Sequence, residues 1–282
     1  LDGFEFTGSP AMYQQQYISV TGAGDYCQVL NNNIHDGASN LFGISFYMTN
    51  GNTAGNCIVR GNRLSNISNH FLLIADNYNL IENNIIENST GSDLLRFAGH
   101  DNWIRRNIFK NGTVLAGVGN HPDFIQTFPD AGGESYNFVF EENFVLNLDN
   151  GYQMGLINSG GPAGLSPNFH DYSFKRNVFS GISNNMNIDV PGVQFTNNTF
   201  YRLSYLQSGL IYSGSLFRGD ASRGLLASNV FVGGGLLPDN YGTRGYYVNG
   251  GGIFSGESLT KGALLDSTTA SGIFSNIQTN GY

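Results

Sequence analysis

The chain of 282 residues carries a formal net charge of −8, and only 12% of its residues are charged. Nucleic acids and anionic membrane surfaces bind patches of Lys and Arg, so neither is expected as a partner. No apolar segment approaches the ~18 residues that a membrane-spanning helix needs. The 39 glycines and the aromatic content of 13% favour strands and turns over charge-rich helices.

The chain begins with "LDGFEF", which is more typical of the interior of a repeat than of a translated start. We therefore expect a mature form or a fragment of a longer protein. Two cysteines, Cys27 and Cys57, follow. They fit two buried thiols, and a disulfide between neighbouring repeats is the alternative.

A short pattern recurs eight times: an apolar residue, two variable residues, an asparagine, any residue and usually a second apolar residue. The copies are VLNNNIH, IVRGNRL, LIENNII, WIRRNIF, VFEENFV, SFKRNVF, QFTNNTF and LLASNVF. Their asparagines are Asn33, Asn62, Asn84, Asn107, Asn143, Asn177, Asn198 and Asn229, and only His35 breaks the final apolar position. Another asparagine follows four residues later in several copies, at Asn66, Asn88, Asn111 and Asn147. This regularity indicates a repeat architecture.

The shortest intervals between the asparagines are 21, 22 and 23 residues, which is typical of one coil of a right-handed parallel β-helix. Asparagines at the same position of each coil can stack into a ladder of amide hydrogen bonds, and Asn tolerates the left-handed backbone of a sharp turn. The spacing predicts an all-β protein, a single right-handed parallel β-helix (a solenoid) of about eight or more coils. A leucine-rich repeat is the competing solenoid, but the leucine spacing of that repeat is missing.

The β-helix is expected to cover residues 1–232. Residues 233–282 lack the asparagine pattern, and we expect them to form an irregular C-terminal coil or cap that covers the end of the stack. The intervals of 36 and 34 residues between Asn107 and Asn177 require long loops. Long loops on a rigid scaffold frequently carry function.

Two segments near these loops, SDLLRFAG (92–99) and PDFIQTFP (122–129), align in register; the second lies within NHPDFIQTFPD (120–130). The alignment places Asp93 beside Asp123 and Arg96 beside Gln126 on stacked strands ~4.8 Å apart. Two carboxylates this close repel unless they share a proton, a cation or a substrate hydroxyl. The candidate catalytic residues are therefore Asp123, His121, Asp93 and Arg96.

The same face is expected to hold the residues that bind substrate, namely Gln126, His100, Tyr152, Gln153, Asp149 and Asn158. Structural roles remain open for the acids: Asp93 and Asp123 fit acceptors of backbone N–H groups, and Asp101 and Asp149 fit turn formers. Four basic residues in the repeats are expected to be solvated charges, and they are Arg105, Arg106, Lys175 and Arg176. His35 and Asp36 fit a turn.

The N-x-[IVF] coils resemble the pectate-lyase-like right-handed β-helix superfamily, which includes polysaccharide lyases, glycoside hydrolases such as polygalacturonases, mannuronan C5-epimerases and phage tailspike depolymerases. The resemblance covers roughly residues 1–232 as a repeat pattern. The catalytic NTD, GHG and RIK segments of polygalacturonases and the DPHD segment of the epimerases are absent from the sequence. The segment HPDFIQTF resembles one seen in bacterial and viral β-helix proteins, which implies a site that faces carbohydrate without fixing the reaction.

The leading hypothesis is an enzyme that cleaves a polysaccharide in a groove along the stack. In a hydrolase, Asp123 with Asp93 or Asp149 would supply the acid and the base or nucleophile. In a lyase, His121 or Arg96 would remove a proton, and Arg96 or a calcium ion held by Asp93 and Asp123 would neutralise the uronate. The expected cofactor is accordingly none or calcium.

The alternative is a non-catalytic glycan-binding adhesin or phage tail-fibre module, with Tyr152, Tyr136 and Phe128 as aromatic platforms. Either function implies a polysaccharide as partner and an extracellular location or the surface of a virion. The sequence leaves a monomer and a homotrimer equally open.

Overall fold

The structure, a computed structural model, describes residues 1–8, 16–21, 26–37, 42–47, 55–90, 93–113, 122–127, 134–149, 152–156, 169–182, 186–188, 190, 192–201, 217–218, 225–227, 230–232 and 264–265. Every regular element in these ranges is a β-strand. Within them, accordingly, no helix is long and apolar enough to cross a membrane.

The strands form three parallel sheets. Sheet A contains β3 (Gln28–Leu30), β6 (Ile58–Arg60), β9 (Leu80–Glu82), β12 (Trp103–Arg105), β15 (Ser135–Glu141), β18 (Phe169–Lys175), β21 (Gln194–Thr196) and β24 (Leu225–Ala227). Sheet B contains β1 (Glu5–Thr7), β4 (Asn33–His35), β7 (Arg63–Ser65), β10 (Ile85–Glu87), β13 (Ile108–Thr113), β16 (Phe144–Asp149), β19 (Val178–Ile182), β22 (Thr199–Tyr201), β25 (Val230–Val232) and β26 (Leu264–Leu265). Sheet C contains β2 (Gln16–Thr21), β5 (Phe42–Tyr47), β8 (Leu72–Ala75), β11 (Leu95–His100), β14 (Asp123–Thr127), β17 (Gln153–Leu156), β20 (Met186–Ile188) and β23 (Phe217–Arg218).

The chain visits the three sheets in a fixed order. From β1 to β22, each strand pairs in parallel with the strand three positions later in the sequence. Besides its neighbours in sheet C, strand β11 pairs with β15 through Gly99 and His100. This pairing joins sheet C to sheet A. One repeat unit therefore contributes one strand to each sheet.

The core lies between the sheets and is built from residues at equivalent positions. In sheet A the apolar residue three before each repeat asparagine points inward and is fully buried, as at Val59, Ile81, Ile104, Phe140 and Phe174. Stacking continues in the aromatic rings, since the rings of Phe174 and Phe195 lie 4.8 Å apart and nearly parallel. Each such buried side chain contributes about 1.5–3 kcal/mol, so the stack is stabilised along its whole length.

A ladder of buried asparagines runs along the turn between sheets A and B. The backbone N–H and the side-chain amide of each one donate to Oδ1 of the next, at 2.9–3.2 Å. The members are Asn32, Asn62, Asn84, Asn107, Asn143, Asn177 and Asn198. Asn229, the eighth predicted member, lies outside the described residues.

The first member corrects the sequence prediction. Asn32, not Asn33, occupies the ladder, because both its N–H groups reach Asn62. The repeat then begins at Val29 and ends at Ile34, which are both buried. His35 is therefore no exception to the apolar pattern; it is simply the following residue.

The turns use left-handed backbone at repeated positions. The residue before each ladder asparagine has a positive φ, at Asn31, Gly61, Asn83, Arg106, Glu142, Arg176 and Asn197. The predicted second asparagines, Asn66, Asn88, Asn111 and Asn147, have φ of 52–59°, and Asp36 is in the same class with φ 54°. The choice of Asn at these positions follows from its tolerance of this conformation.

The basic residues of the repeats reach solvent, as predicted, and they also form ion pairs with acids. Arg105 Nε lies 2.7 Å from Glu82 Oε2, and Arg176 and Lys175 approach Glu141 Oε2 at 2.6 and 3.2 Å. Arg106 pairs with Glu142 at 2.9 Å. Glu82 and Glu141 are each only 4% exposed, so these cations neutralise buried carboxylates.

Both cysteines are free thiols. They immediately precede β3 and β6, which pair in register, and Cys57 is fully buried whereas Cys27 is partly exposed. A hydrogen bond with the Cys57 thiol and burial raise the pKa of Cys27. The thiol state expected from the sequence is therefore the one the structure contains.

The expected boundary at residue 232 falls at the end of β25. Of residues 233–282, the structure describes only β26, which adds to sheet B beside β25. The long insertions between Asn107 and Asn177 fall mostly on residues outside the described ranges, namely 114–121, 128–133 and 157–168.

Candidate functional site

A row of polar side chains crosses the edge of sheet C at one register position. Arg96 of β11 pairs with Gln126 of β14, which places Asp93 in line with Asp123. Leu95 pairs with Leu72, so His70 lies in the same row, one strand before Asp93. The predicted register of Asp93 with Asp123 is confirmed, and the row gains a histidine.

The two carboxylates are held by hydrogen bonds. Asp93 Oδ1 accepts the backbone N–H of Asp123 at 2.8 Å, and Asp123 Oδ2 accepts Nε2 of Gln126 at 2.6 Å. Asp123 is fully buried, and Asp93 is 7% exposed. Asp93 thus has the structural role of accepting a backbone N–H, one of the two roles that the sequence left open.

His70 sits between Asp93 and Arg96. Arg96 Nη1 lies 3.0 Å from Nε2 of His70, and Asp93 Oδ2 lies 3.4 Å from Nδ1. Because a guanidinium only donates, Nε2 must accept this hydrogen bond, and the imidazole proton resides on Nδ1, facing Asp93. The ring of Phe42 packs on the imidazole with centroids 5.1 Å apart. The tautomer and the orientation of His70 are therefore both fixed.

His70 is kept in its neutral form. Burial, followed by the positive charge of Arg96, lowers the pKa of His70 from 6.5 to about 3. Desolvation disfavours the imidazolium, and a neighbouring cation disfavours it further. A carboxylate, an oriented neutral imidazole and a guanidinium thus lie next to one another.

The groups of this cluster differ in exposure. The side chain of Arg96 is 28% exposed, that of His70 15% and that of Asp93 10%, whereas Asp123 has no exposed surface. A molecule approaching sheet C from outside therefore meets the guanidinium first and the imidazole next. We call His70, Asp93, Arg96, Asp123 and Gln126 the sheet C cluster.

The other predicted site residues do not all join this cluster. Tyr152 lies in the hydrophobic core with 0% exposure, which corrects its expected place on the outer face. Asp149 ends β16 and pairs with Thr113 in sheet B, so it does not share the row of Asp123. Gln153 pairs with Asp123 as expected. His121 and Asn158 lie outside the described residues.

His100 lies at the far end of β11, where it belongs to a second row. Its ring stacks on Tyr136 at 4.5 Å with an interplanar angle of 6°, and Tyr136 stacks on His170 at 5.3 Å. His100 Nδ1 pairs with Asp101 Oδ2 at 2.7 Å, and His170 pairs in the same way with Asp171. Asp101 and Asp171 have positive φ, so the expected turn role of Asp101 is confirmed.

Of the aromatic platforms expected for a glycan-binding module, only Tyr136 is on the outer surface of the described part of the chain. Tyr152 is in the core, and Phe128 lies outside the described residues. A further exposed aromatic residue was not predicted from the sequence: Trp103 is 40% exposed.

His70 is the functional candidate that the sequence reading missed. Its signal was the register itself, since NHFLLIA aligns with SDLLRFA once Leu72 is set against Leu95. The two segments carry different residue types at this position, a histidine at His70 and an acid at Asp93, so similarity of sequence alone does not link them.

The sheet C cluster is a poor match to a cation site as it stands. In the parts of the chain that the structure describes, no group of three or more His, Cys, Asp or Glu side chains converges as metal ligands. One carboxylate oxygen of Asp93 already accepts the N–H of Asp123, and one of Asp123 already accepts a hydrogen bond from Gln126. A calcium ion thus stays a prediction from the sequence.

Comparisons of the chain with protein-family models, with curated proteins and with solved structures give no match in any of the three.

Proposed function

We propose that the chain is a polysaccharide-cleaving enzyme on a right-handed parallel β-helix, acting outside the cell or on a virion. The pairing of each strand with the third strand after it supports the β-helix, because one turn of such a helix places one strand in each of three sheets. The ladder of asparagines at one turn of every repeat supports it independently. Stacked strands present extended rows of side chains, which suit a linear polymer.

The reaction best supported by the sheet C cluster is β-elimination on a uronic acid unit. In this reaction a base removes the proton from the carbon next to the carboxyl group, a C=C bond forms to the neighbouring carbon, and the glycosidic oxygen leaves that carbon and takes up a proton, from solvent or from the imidazolium. The observation that carries the proposal is the 3.0 Å contact between an arginine and an oriented, neutral histidine at the outer face of sheet C. Arg96 would bind the uronate carboxylate, and Nε2 of His70 would take the proton.

The substrate itself would switch His70 into a stronger base. In the free protein the charge of Arg96 helps to lower the pKa of His70. A carboxylate bound to Arg96 would cancel that charge and draw the guanidinium away from Nε2, which raises the proton affinity of the imidazole. Asp93, next to Nδ1, would stabilise the imidazolium that forms.

Hydrolysis is the second candidate, and the adjacent carboxylates of Asp93 and Asp123 favour it. Acids on neighbouring strands lie ~4.8 Å apart, close to the separation of a retaining pair. The complete burial of Asp123 places this candidate second, because the catalytic acid of a hydrolase must reach the glycosidic oxygen.

The experiment is a screen of the purified protein on polyuronates and neutral polysaccharides, with and without EDTA. Absorbance near 235 nm reports the unsaturated uronate, and reducing ends report any cleavage. We expect both signals to rise on a polyuronate, and His70→Gln to lower the rate at least ~100-fold. Reducing ends alone would indicate the hydrolase, with Asp123→Asn as its inactive variant. Loss of activity in EDTA would indicate that the reaction depends on a divalent cation such as calcium.

Matched controls separate chemistry from folding. His35→Gln removes a histidine that also pairs with an aspartate but lies on sheet B, and Arg106→Lys alters an exposed guanidinium away from sheet C. Both variants should keep full activity. Silence in both assays with retained glycan binding would instead support the glycan-binding module.

A further inference from the structure

A concavity opens on the outer face of sheet A, apart from the sheet C cluster. Its volume is about 360 Å³, and its lining includes Asp101, Trp103, Asn137, Val139, Asp171 and Ser173. Asp101 lies in the turn just before β12, and the other five residues belong to β12, β15 and β18. The concavity therefore spans three neighbouring repeats and belongs to one rigid sheet.

Trp103 supplies the apolar surface of this concavity. It pairs in register with Leu80 on one side and Val139 on the other, so its strand position is fixed within the sheet. The guanidinium of Arg105 lies 4.5 Å from the centre of the indole ring and holds it. Despite these contacts, 40% of Trp103 stays exposed, which is unusual for the largest apolar side chain.

A row of hydrogen-bond acceptors runs beside the indole. Asp101, Asn137 and Asp171 occupy the same register position in successive repeats and share a left-handed backbone, with φ of 55°, 50° and 60°. Strands ~4.8 Å apart place Asp101 and Asp171 ~10 Å from each other. The spacing runs along the stack, in the direction that a linear ligand would follow.

The acceptors are oriented before any ligand binds. His100 Nδ1 pairs with Asp101 Oδ2 at 2.7 Å, and His170 Nδ1 pairs with Asp171 Oδ2 at 2.8 Å. Asn137 Nδ2 donates to Asp101 Oδ1 at 3.2 Å. The histidines are themselves fixed by stacking on Tyr136. Orienting the carboxylates in advance lowers the entropy lost when a ligand is bound.

We propose that this concavity is a non-catalytic binding site for a neutral saccharide chain. The C–H face of a pyranose would pack on the indole of Trp103, and its hydroxyl groups would donate to Asp101, Asp171 and Ser173. The two carboxylates disfavour uronates at this site, since like charges repel. The site is independent of the cleavage reaction on sheet C and would hold a neutral stretch of a polymer.

The test uses the intrinsic fluorescence of the protein, because Trp103 is the single tryptophan of the chain. Wild-type protein is titrated with linear neutral oligosaccharides of three to six units (gluco-, xylo-, manno- and galacto-configured) and with an oligogalacturonate. We expect a saturable change in emission and protection from acrylamide quenching with at least one neutral oligosaccharide, and no effect of the uronate.

Variants then assign the signal to the carboxylates. Asp101→Asn with Asp171→Asn keeps the tryptophan and should weaken binding at least tenfold. Asp36→Asn is the matched control, since Asp36 has the same left-handed turn and histidine pairing on sheet B and should leave binding unchanged. His70→Gln should also leave it unchanged, which separates this site from the cleavage reaction.

Two results would overturn the proposal. One is unchanged emission and unchanged acrylamide quenching of the wild-type protein with every neutral oligosaccharide; this measurement needs no variant and so does not depend on variants folding. The other is equal binding of the oligogalacturonate, with no loss in the double variant.

Discussion

Asparagine has two separate roles in this protein, and the two roles occur four residues apart. Asn107 is a buried ladder member whose Nδ2 also donates to the carbonyl of Ile81 at 3.0 Å. Asn111 is exposed and has a φ of 58°, so its role is to adopt the left-handed backbone conformation at this position. The sequence shows the same letter at both positions, and only burial separates the two roles.

Asn107→Ala should destabilise the fold strongly. The change removes the acceptor of the backbone N–H and of one Nδ2 hydrogen of Asn84, at 2.9 Å each, and also the donor to the Ile81 carbonyl at 3.0 Å. At roughly 1–3 kcal/mol for each buried unsatisfied group, the free energy of unfolding should fall by about 3 kcal/mol or more. Urea unfolding followed by circular dichroism measures the loss.

Asn111→Gly is the matched control for that variant. Glycine adopts a positive φ without strain, so the change should cost well under ~1 kcal/mol. Equal losses for the two variants would contradict the division of roles between Asn107 and Asn111.

At the scale of the strand, register determined what could be predicted. The pairing of Arg96 with Gln126 follows from aligning two similar segments, and the structure contains that pairing. The pairing of β14 with β17 has an irregularity between Asp123 and Ile125. The side chain of Tyr152, just before β17, is buried in the core at this point. The alternation of apolar and polar residues in the sequence does not predict such a shift of register.

The run Asn31-Asn32-Asn33 shows a similar limit. Two of the three asparagines are compatible with the repeat pattern, because Val29 lies three residues before Asn32 and Leu30 lies three residues before Asn33. Packing decides in favour of Val29, which is 2% exposed, and thereby assigns the ladder to Asn32. A slip of one residue along a strand exchanges its two faces, so the choice affects every neighbour.

Gly112→Ala tests the inward position of Tyr152. Gly112 of β13 pairs with Leu148, and a Cβ at this glycine would lie 2.6 Å from Cε2 of Tyr152. The resulting overpacking should cost about 1–3 kcal/mol in the free energy of unfolding.

Tyr152→Leu supplies the second arm of a double-mutant cycle. It removes the ring atoms that the new methyl group meets, so the double variant should lose less stability than the sum of the single variants. Additive losses would mean that Gly112 and Tyr152 are not in contact.

For the whole molecule, the sequence predicted the repeat, the all-β class and the parallel pairing, because all three follow from one pattern of apolar residues and asparagine. It could not predict how the face of sheet C is completed. His70 lies two residues before β8 and joins the cluster through the register of β8 with β11. Its imidazole is neutral because of burial and because of the charge of Arg96 on another strand. Such properties depend on three-dimensional neighbours that no single repeat contains.

The pH dependence of global stability should report His70. The pKa of its imidazole is about 3 in the folded protein, against the ordinary value of 6.5 that applies to the unfolded chain. Between these values the unfolded chain binds a proton that the folded chain does not, so this histidine contributes stability above pH 6.5 that is lost as the pH falls towards 3. His70→Gln should flatten the melting temperature against pH over this window.

His35 provides the contrast for that measurement. Hydrogen bonds to Asp36 and then Glu5 raise the pKa of His35 above its ordinary value of 6.5. Its contribution is therefore present below pH 6.5 and is lost as the pH rises through the folded pKa. His35→Gln should change the profile in the sense opposite to His70→Gln, and the same sign for both would contradict these assignments.

The asparagine ladder also gives the molecule a direction. Every amide-to-amide hydrogen bond in it points towards the C-terminal end, from Asn32 through Asn107 to Asn198, and Phe4 N–H donates to Oδ1 of Asn32 at the other end. Aligned amides add their dipoles, as peptide groups do in an α-helix, and neighbouring hydrogen bonds polarise one another. The amide-to-amide bonds of the ladder therefore all have the same orientation along the stack. A further asparagine could join this line of amides only in the same orientation, because Oδ1 of each member must meet the N–H groups of the member before it.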